Sequence, residues 1–295
     1  MEIKIANIST NADLDICFDA IVKTVSETQK FNDNVSWNFC EVSDMHPFYA
    51  FALATYKHNK NGIVLKGLSN ELNNYLRDIC FEKTFNFVGN NQIPDYYSTL
   101  NYIPVCSIPI EDSGKDVFVS LARDIILKQL KSPAGITTPL SYFMSELIDN
   151  IYEHSESENC FLFSEFIQSE NTLYLCIADS GITIYKSFEK RGLFQQEING
   201  DESDALRLAN EGCSSKKRPG AENRGYGIST SKRMLVEGLG GSFFMLSGNA
   251  FHRYENKTTN YFATMNQLFR WNGTMVLLRI PVDVPEGFNY VNYLE

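Results

Sequence analysis

Residues 141–154 constrain the fold of this chain more than any other stretch, because their side chains divide between two faces of a helix. The segment reads SYFMSELIDNIYEH. At about 100° per residue, and together with the preceding leucine, one face is apolar: Leu140, Phe143, Met144, Leu147, Ile148 and Ile151. The other face is polar: Glu146, Asp149, Asn150 and Glu153. This pattern predicts a helix that packs on a core and presents an acidic face.

Two side chains on the polar face have the right types for chemistry. Glu146 and Asn150 are four positions apart, so they lie one above the other on the helix surface. A carboxylate beside a carboxamide can hold a hydrated Mg²⁺, which prefers oxygen ligands. The same pair can orient or deprotonate an attacking water. A solvated acidic face without chemistry remains the alternative explanation of this segment.

A second candidate site residue follows an apolar strand predicted near residues 173–178. Asp179 comes at the end of that strand, and Gly181 permits a tight turn directly after it. A carboxylate at the rim of a sheet can accept a hydrogen bond from an exocyclic amine. An ordinary turn without a ligand explains the same residues.

A glycine-rich stretch at residues 211–234 is the third feature of interest, and it carries lysines and arginines in an otherwise acidic chain. Glycines that lead into a helix offer free backbone N–H groups to phosphates. The spacing matches neither the P-loop nor the dinucleotide-binding fingerprint. A surface loop is the alternative interpretation.

The order of these features along residues 103–282 resembles the GHKL ATPase superfamily, whose members include gyrase, the heat-shock chaperone, mismatch-repair ATPases and histidine-kinase catalytic domains. Glu146 and Asn150 match the N box of that family. Asp179 and Gly181 match its first glycine box. Thr274, in Asn-Gly-Thr on a predicted strand, matches a threonine that assists the aspartate near adenine. The second glycine box is matched by four residues: Arg224, Gly225, Tyr226 and Gly227.

The resemblance implies that ATP and Mg²⁺ are the ligands. Asn150 would bind the Mg²⁺ that bridges the phosphates, and Glu146 would be the general base. Asp179 would receive the adenine amine, and Gly181 would leave room for the base. Residues 224–227 would contact the phosphates, and residues 185–223 would form a lid.

The sequence differs from the family pattern at one position, adds a histidine and leaves one expected lysine unassigned. Thr183 stands where the first glycine box usually has its second glycine, which we expect to narrow the adenine pocket. His154 follows Asn150 by four residues, as in anti-sigma-factor kinases, although a packed histidine explains it equally. No lysine is assigned to the γ-phosphate, and the candidates are Lys216, Lys217 and Lys232.

The first part of the chain reads as a small α/β unit. Strands are expected at residues 3–8, 35–39 and 63–65, and helices at residues 13–28, 47–56 and 69–81. The region is similar to a STAS domain, the fold of anti-sigma-factor antagonists, and a generic α/β accessory domain is the alternative. We expect a STAS-like domain at residues 1–97 and a GHKL ATPase domain at residues 98–295.

Composition narrows the partners of this protein. The formal net charge is −10, so general binding to nucleic acid is not expected. No run of about 18 apolar residues predicts a membrane span. The seven cysteines are scattered and never spaced as C-x-x-C, which favours reduced thiols in a cytoplasmic protein.

The sequence therefore predicts an α+β sandwich. The resemblance implies that its C-terminal part is a Bergerat-type ATP-binding fold, with helices on one face of a mixed sheet. The expected function is slow ATP hydrolysis in which lid closure regulates a protein partner. An anti-sigma-type serine/threonine kinase and a non-catalytic, nucleotide-gated interaction module are the alternatives. Several members of the family dimerise, so a homodimer is also compatible with the resemblance.

Overall fold

The computed structural model describes residues 1–31, 34–85, 93–108, 112–131, 135–213, 227–265 and 268–294. Residues 1–85 form an N-terminal unit, in which strands alternate with helices. Its elements are β1 (Glu2–Lys4), α1 (Leu14–Gln29), β2 (Val35–Asn38), α2 (Pro47–Asn59), β3 (Ile63–Lys66) and α3 (Asn70–Asp78). The strands are parallel and lie in the order β1-β2-β3. The predicted alternation is therefore present, and the likeness to a STAS domain stays a prediction.

Residues at the N-termini of two helices in this unit favour helix formation there. Ser69 Oγ accepts a hydrogen bond from the backbone N–H of Leu72 at 3.1 Å and so caps α3. Pro47 occupies the first turn of α2, where its missing N–H costs nothing. Residues 47–55 of α2 are all buried. A helix buried on every side has to lie at the centre of a core.

The remaining residues form a C-terminal unit of helices and one large sheet. Its helices are α4 (Ile93–Tyr97), α5 (Asp112–Gln129), α6 (Thr137–His154), α7 (Ile184–Arg191), α8 (Gln195–Ile198), α9 (Glu202–Asn210) and α10 (Gly227–Arg233), which continues as a π-helical turn, Met234–Gly238. Its strands are β4 (Tyr102–Ile108), β5 (Cys160–Ile167), β6 (Thr172–Asp179), β7 (Ser242–Gly248), β8 (Ala250–Tyr254), β9 (Asn260–Thr264) and β10 (Trp271–Pro281). No helix in the described part of the chain combines the length and the apolar character needed to cross a membrane.

The seven strands are ordered β4-β5-β6-β10-β7-β8-β9. Each described pair of neighbours in this sheet is antiparallel. The α+β class expected from the sequence is confirmed, with an antiparallel sheet where a mixed one was expected. The β8–β9 hairpin and the helices α7, α8 and α9 were not predicted, because short elements carry little periodic signal.

Alternate residues of the central strands point into two different cores. Along β6, Tyr174, Cys176 and Ala178 face the N-terminal unit. The residues between them, Leu173, Leu175 and Ile177, face the helices of the C-terminal unit. Helix α6 lies in that second layer, where it contacts α5, α10 and β6. The sheet is therefore buried on both faces.

Aromatic side chains join the N-terminal unit to the sheet. The rings of Phe18 and Phe244 have centroids 4.4 Å apart. Phe48 of α2 packs edge-on against Tyr174 at 5.1 Å. Aromatic pairs of this kind contribute beyond the area that they bury. The N-terminal unit thus shares one hydrophobic core with a face of the large sheet.

This shared core predicts that both units unfold together. The chain has two tryptophans: Trp37 is buried in the N-terminal unit, and Trp271 is buried at the start of β10. We expect W271F, which leaves Trp37 as the probe, and W37F, which leaves Trp271, each to show a fluorescence transition in urea that coincides with its own far-UV circular dichroism transition. A fluorescence transition that precedes the dichroism transition in W271F would show separate unfolding of the N-terminal unit.

Candidate functional site

One cavity lies where α6, the end of β6 and the start of β10 meet, with α7 and the end of α9 at its sides. The space between its walls, with the open mouth included, is about 730 Å³. Asn150, Asp179 and Thr274 all line it. Residues that are up to 124 positions apart in sequence (274 minus 150) therefore share one site.

Asp179 is the most buried charged group of this cavity, with 1% of its surface exposed. Its Oδ1 accepts a hydrogen bond from the backbone N–H of Gly181 at 2.8 Å. Its Oδ2 accepts one from the backbone N–H of Thr274 at 3.1 Å. Burial raises the pKa of the Asp179 carboxyl to about 7, and the two backbone hydrogen bonds oppose that rise. The side chain is held rigidly and can accept a further hydrogen bond from a ligand.

Two glycines permit this close packing. Gly273 has φ +78°, and a Cβ there would lie 2.3 Å from Asp179 Oδ1. A Cβ at Gly181 would lie 1.9 Å from the backbone oxygen of Ser155. Both contacts are too short for any side chain. Gly181 is thus required by the chain's own backbone, in addition to the room for a ligand expected from the sequence.

Ser247 on β7 links the strands around the cavity and was missed by the sequence analysis. Its Oγ accepts a hydrogen bond from the backbone N–H of Ile184 at 2.9 Å. It also donates to the backbone oxygen of Gly273 at 3.1 Å and lies 3.2 Å from Thr274 Oγ1. A single serine in a buried strand has no local sequence pattern that would identify it as a site residue. Its contacts join α7, β7 and β10 at the site.

Asn150 is oriented by its own helix. Its Nδ2 donates a hydrogen bond to the backbone oxygen of Glu146 at 2.7 Å. This contact uses the amide nitrogen, so Oδ1 is the atom that remains for a ligand or a metal ion. The predicted stacking of Glu146 and Asn150 on one helix face is therefore present, with the amide oxygen as the useful group.

Glu146 lies to one side of the cavity. It does not line the cavity, and it is half-buried against the start of α10. A Cβ at Gly227 would lie 1.8 Å from Glu146 Oε2, so Gly227 lets α10 approach the carboxylate. Burial, and then the charges of Asp149 and Glu153, raise the pKa of Glu146. A carboxyl with a raised pKa is suited to exchange protons.

The stretch predicted to be a second glycine box, residues 224–227, is only partly described. Gly227 is buried and begins α10, whereas Arg224, Gly225 and Tyr226 lie outside the described residues. Lys216 and Lys217 lie outside them as well.

Lys232 belongs to the described part, and its ammonium donates a hydrogen bond to the backbone oxygen of Asn210 at 2.9 Å. Burial lowers the pKa of Lys232 to about 8. Lys232, one of the three candidates for the γ-phosphate, therefore already binds the protein's own backbone.

Thr183 combines two roles. Its Oγ1 accepts a hydrogen bond from the backbone N–H of Lys186 at 3.2 Å and so caps α7. Thr183 is also buried, and both Thr183 and the partly buried His154 line the cavity. Apolar side chains complete the walls, and these were not identified from the sequence: Leu147, Ile151, Ile182, Phe188, Ile228, Met245 and Val276. A cavity with apolar walls and one buried carboxylate suits a flat ligand that carries a hydrogen-bond donor.

Comparisons of the chain with protein-family models, with curated proteins and with solved structures gave no match. The function is therefore inferred from the residues of this chain and their geometry.

The raised pKa of Asp179 predicts how stability depends on pH. The carboxyl has a usual pKa of 3.8 and a pKa of about 7 in the folded protein. Between about pH 4 and pH 7 the folded state holds a proton that the unfolded state releases, so stability falls as the pH rises through this interval. Compared with D179A, the wild-type protein should lose unfolding free energy from pH 5 to pH 8 in urea titrations. A difference between the two proteins that stays constant over this range would contradict the shift.

Proposed function

We propose that this protein binds ATP together with Mg²⁺ in the manner of the GHKL superfamily and hydrolyses it slowly. The observation that supports this most directly is the single cavity shared by Asn150, Asp179 and Thr274. These residues belong to three separate motifs, and the resemblance assigns each of them a part of the same nucleotide. Their meeting in one cavity supports the proposal.

The base of the nucleotide would bind at Asp179. Its carboxylate accepts two backbone N–H groups and has the capacity for another donor, which the exocyclic amine of adenine supplies. The apolar side chains of Ile182, Phe188 and Met245 line the cavity around it. They would cover the faces of a planar ring and remove it from water.

The residues beside the cavity fit a magnesium ion that arrives with the phosphates. Mg²⁺ takes oxygen ligands and keeps several waters, and Asn150 offers its amide oxygen. The described residues contain no cluster of three or more histidine, cysteine, aspartate or glutamate side chains that could hold a metal. Phosphate oxygens and water would therefore be the other ligands of the ion. A bound Mg²⁺ would offset phosphate charge, while Asn150 would orient the ion and its phosphates.

Glu146 is the residue that would orient or deprotonate the attacking water. It lies on the same helix face as Asn150, one turn away, and its raised pKa suits proton transfer. Closure of the segment around α7, α8 and α9 over the nucleotide would present a changed surface to a regulatory protein partner.

Binding of ATP without turnover is the second candidate function. Glu146 contacts Gly227 and does not line the cavity, which places the carboxylate against the start of α10. If Glu146 keeps that contact when nucleotide is bound, the protein would act as a nucleotide-gated interaction module.

Calorimetric titration with ATP, with and without Mg²⁺, followed by a phosphate-release assay, tests the two candidates. Binding that strengthens with Mg²⁺ and is followed by phosphate release supports the slow ATPase. Binding without phosphate release over hours supports the interaction module. Transfer of labelled phosphate to an added protein would instead favour a kinase. An absence of binding would exclude all of these functions.

The substitution D179N should weaken ATP binding by at least about tenfold, because it removes a charged hydrogen-bond acceptor. The matched control is D149N. Asp149 lies on α6, and its carboxylate does not line the cavity. Calorimetry should show nearly unchanged ATP affinity for D149N. Equal affinities for D179N and the wild-type protein would remove Asp179 from the site.

The substitution E146Q should leave ATP affinity within about threefold of the wild-type value and lower phosphate release about 100-fold, the usual contribution of a general base. The control is E153Q, a change of the same type on the same acidic helix face. Undiminished phosphate release by E146Q would show that this carboxylate takes no part in hydrolysis.

A further inference from the structure

The N-terminal unit holds the start of β10 through Gln29, the last residue of α1. Gln29 Nε2 donates a hydrogen bond to the backbone oxygen of Arg270 at 2.5 Å. Gln29 Oε1 accepts one from the backbone N–H of Arg270 at 3.1 Å. A side-chain amide that bonds to both backbone groups of one residue replaces a strand partner. It fixes where β10 begins, relative to the N-terminal unit.

The residue that follows is held by the same unit. Tyr56 of α2 lies with its ring centroid 6.2 Å from that of Trp271. Two consecutive residues at the start of β10 are therefore positioned by α1 and α2.

The start of β10, which the N-terminal unit contacts, is only a few residues from the cavity. The register of β10 against β7 shifts between Trp271 and Thr274. Within this irregular stretch, Gly273 packs directly against Asp179. The N–H of Thr274 then donates to Asp179 Oδ2. A movement of the strand start would therefore displace a donor that holds the Asp179 carboxylate.

Arg270 extends the connection to a second wall. Its Nη2 donates a hydrogen bond to Glu202 Oε1 at 2.8 Å, and Glu202 Oε2 accepts one from the backbone N–H of Asn249 at 2.6 Å. The Glu202 side chain is 10% exposed, whereas that of Arg270 is 43% exposed, so solvent reaches the ion pair from the arginine side. Glu202 begins α9, and Ala209 near the other end of α9 lines the cavity.

We infer that Gln29, Arg270 and Glu202 form a positioning clamp, through which the N-terminal unit sets the geometry of the β10 and α9 walls and hence the affinity for nucleotide. The inference rests on the proposed function. None of the three side chains lines the cavity, so they act through Thr274 and α9. They are positioning residues and do not contact the ligand.

The test compares two polar contacts that α1 makes to the large sheet. Q29M keeps the length of the side chain and removes both hydrogen bonds to Arg270. The control D15N removes the ion pair between Asp15, at the start of α1, and Arg253 of β8. Q29M should weaken binding of MgATP about fivefold, within the usual range for coupling mutations, and D15N should leave it unchanged. The melting temperatures of both variants are measured alongside.

Amide hydrogen exchange gives a readout that does not need nucleotide. Q29M should speed exchange in peptides covering the start of β10 and α9, and D15N should not. R270Q retains the backbone bonds to Gln29 and removes the ion pair with Glu202, so it should speed exchange in α9 alone.

The two readouts separate the clamp from the proposed function. Exchange rates and affinity that are unchanged in Q29M would overturn the clamp. Equal changes in Q29M and D15N would overturn it as well, since they would indicate a general loss of stability. Failure of the wild-type protein to bind ATP would reject the proposed function, and the exchange data would still decide whether the clamp exists.

Discussion

The large sheet has apolar side chains on both faces, and both faces have to be covered. Along β6 the apolar residues are continuous, which is typical of a strand buried on two sides. Helices of the C-terminal unit cover one face, and the N-terminal unit covers the other with aromatic side chains. Between the sheet and α6 this packing leaves a cavity, whose walls include Met245 and Val276 on the helix-covered face. The cavity lies there, where β6 ends and β10 begins.

Placing Asp179 at this point is costly for the folded state, since burial disfavours its charge. Two backbone N–H groups offset part of that cost: one belongs to Gly181, and the other to Thr274, which follows Gly273. Both glycines pack too closely for a side chain. The carboxylate is thus held in one orientation by the protein's own backbone. A binding site requires side chains that are fixed in this way.

Local patterns predicted the helices and strands with strong periodicity, such as α1, α6 and β6. The order of the motifs predicted that Asn150, Asp179 and Thr274 would share a site. All three line one cavity, and their roles there stay a prediction. The sequence did not reveal Ser247 or the pair of Gln29 with Arg270. Those contacts join residues far apart in the chain, and neither partner carries a pattern that points to the other. The part taken by residues 224–226 stays a prediction.

Helix α2 has a consequence for how this sequence can change over evolutionary time. Nine consecutive residues of it are buried, and a packed interior responds to a difference of one methylene group. Substitutions there must conserve volume, whereas surface loops can diverge freely. Distant relatives should therefore retain the pattern of large and small apolar side chains in this segment. A search that weights this helix as heavily as the cavity residues would be a sensitive way to find them.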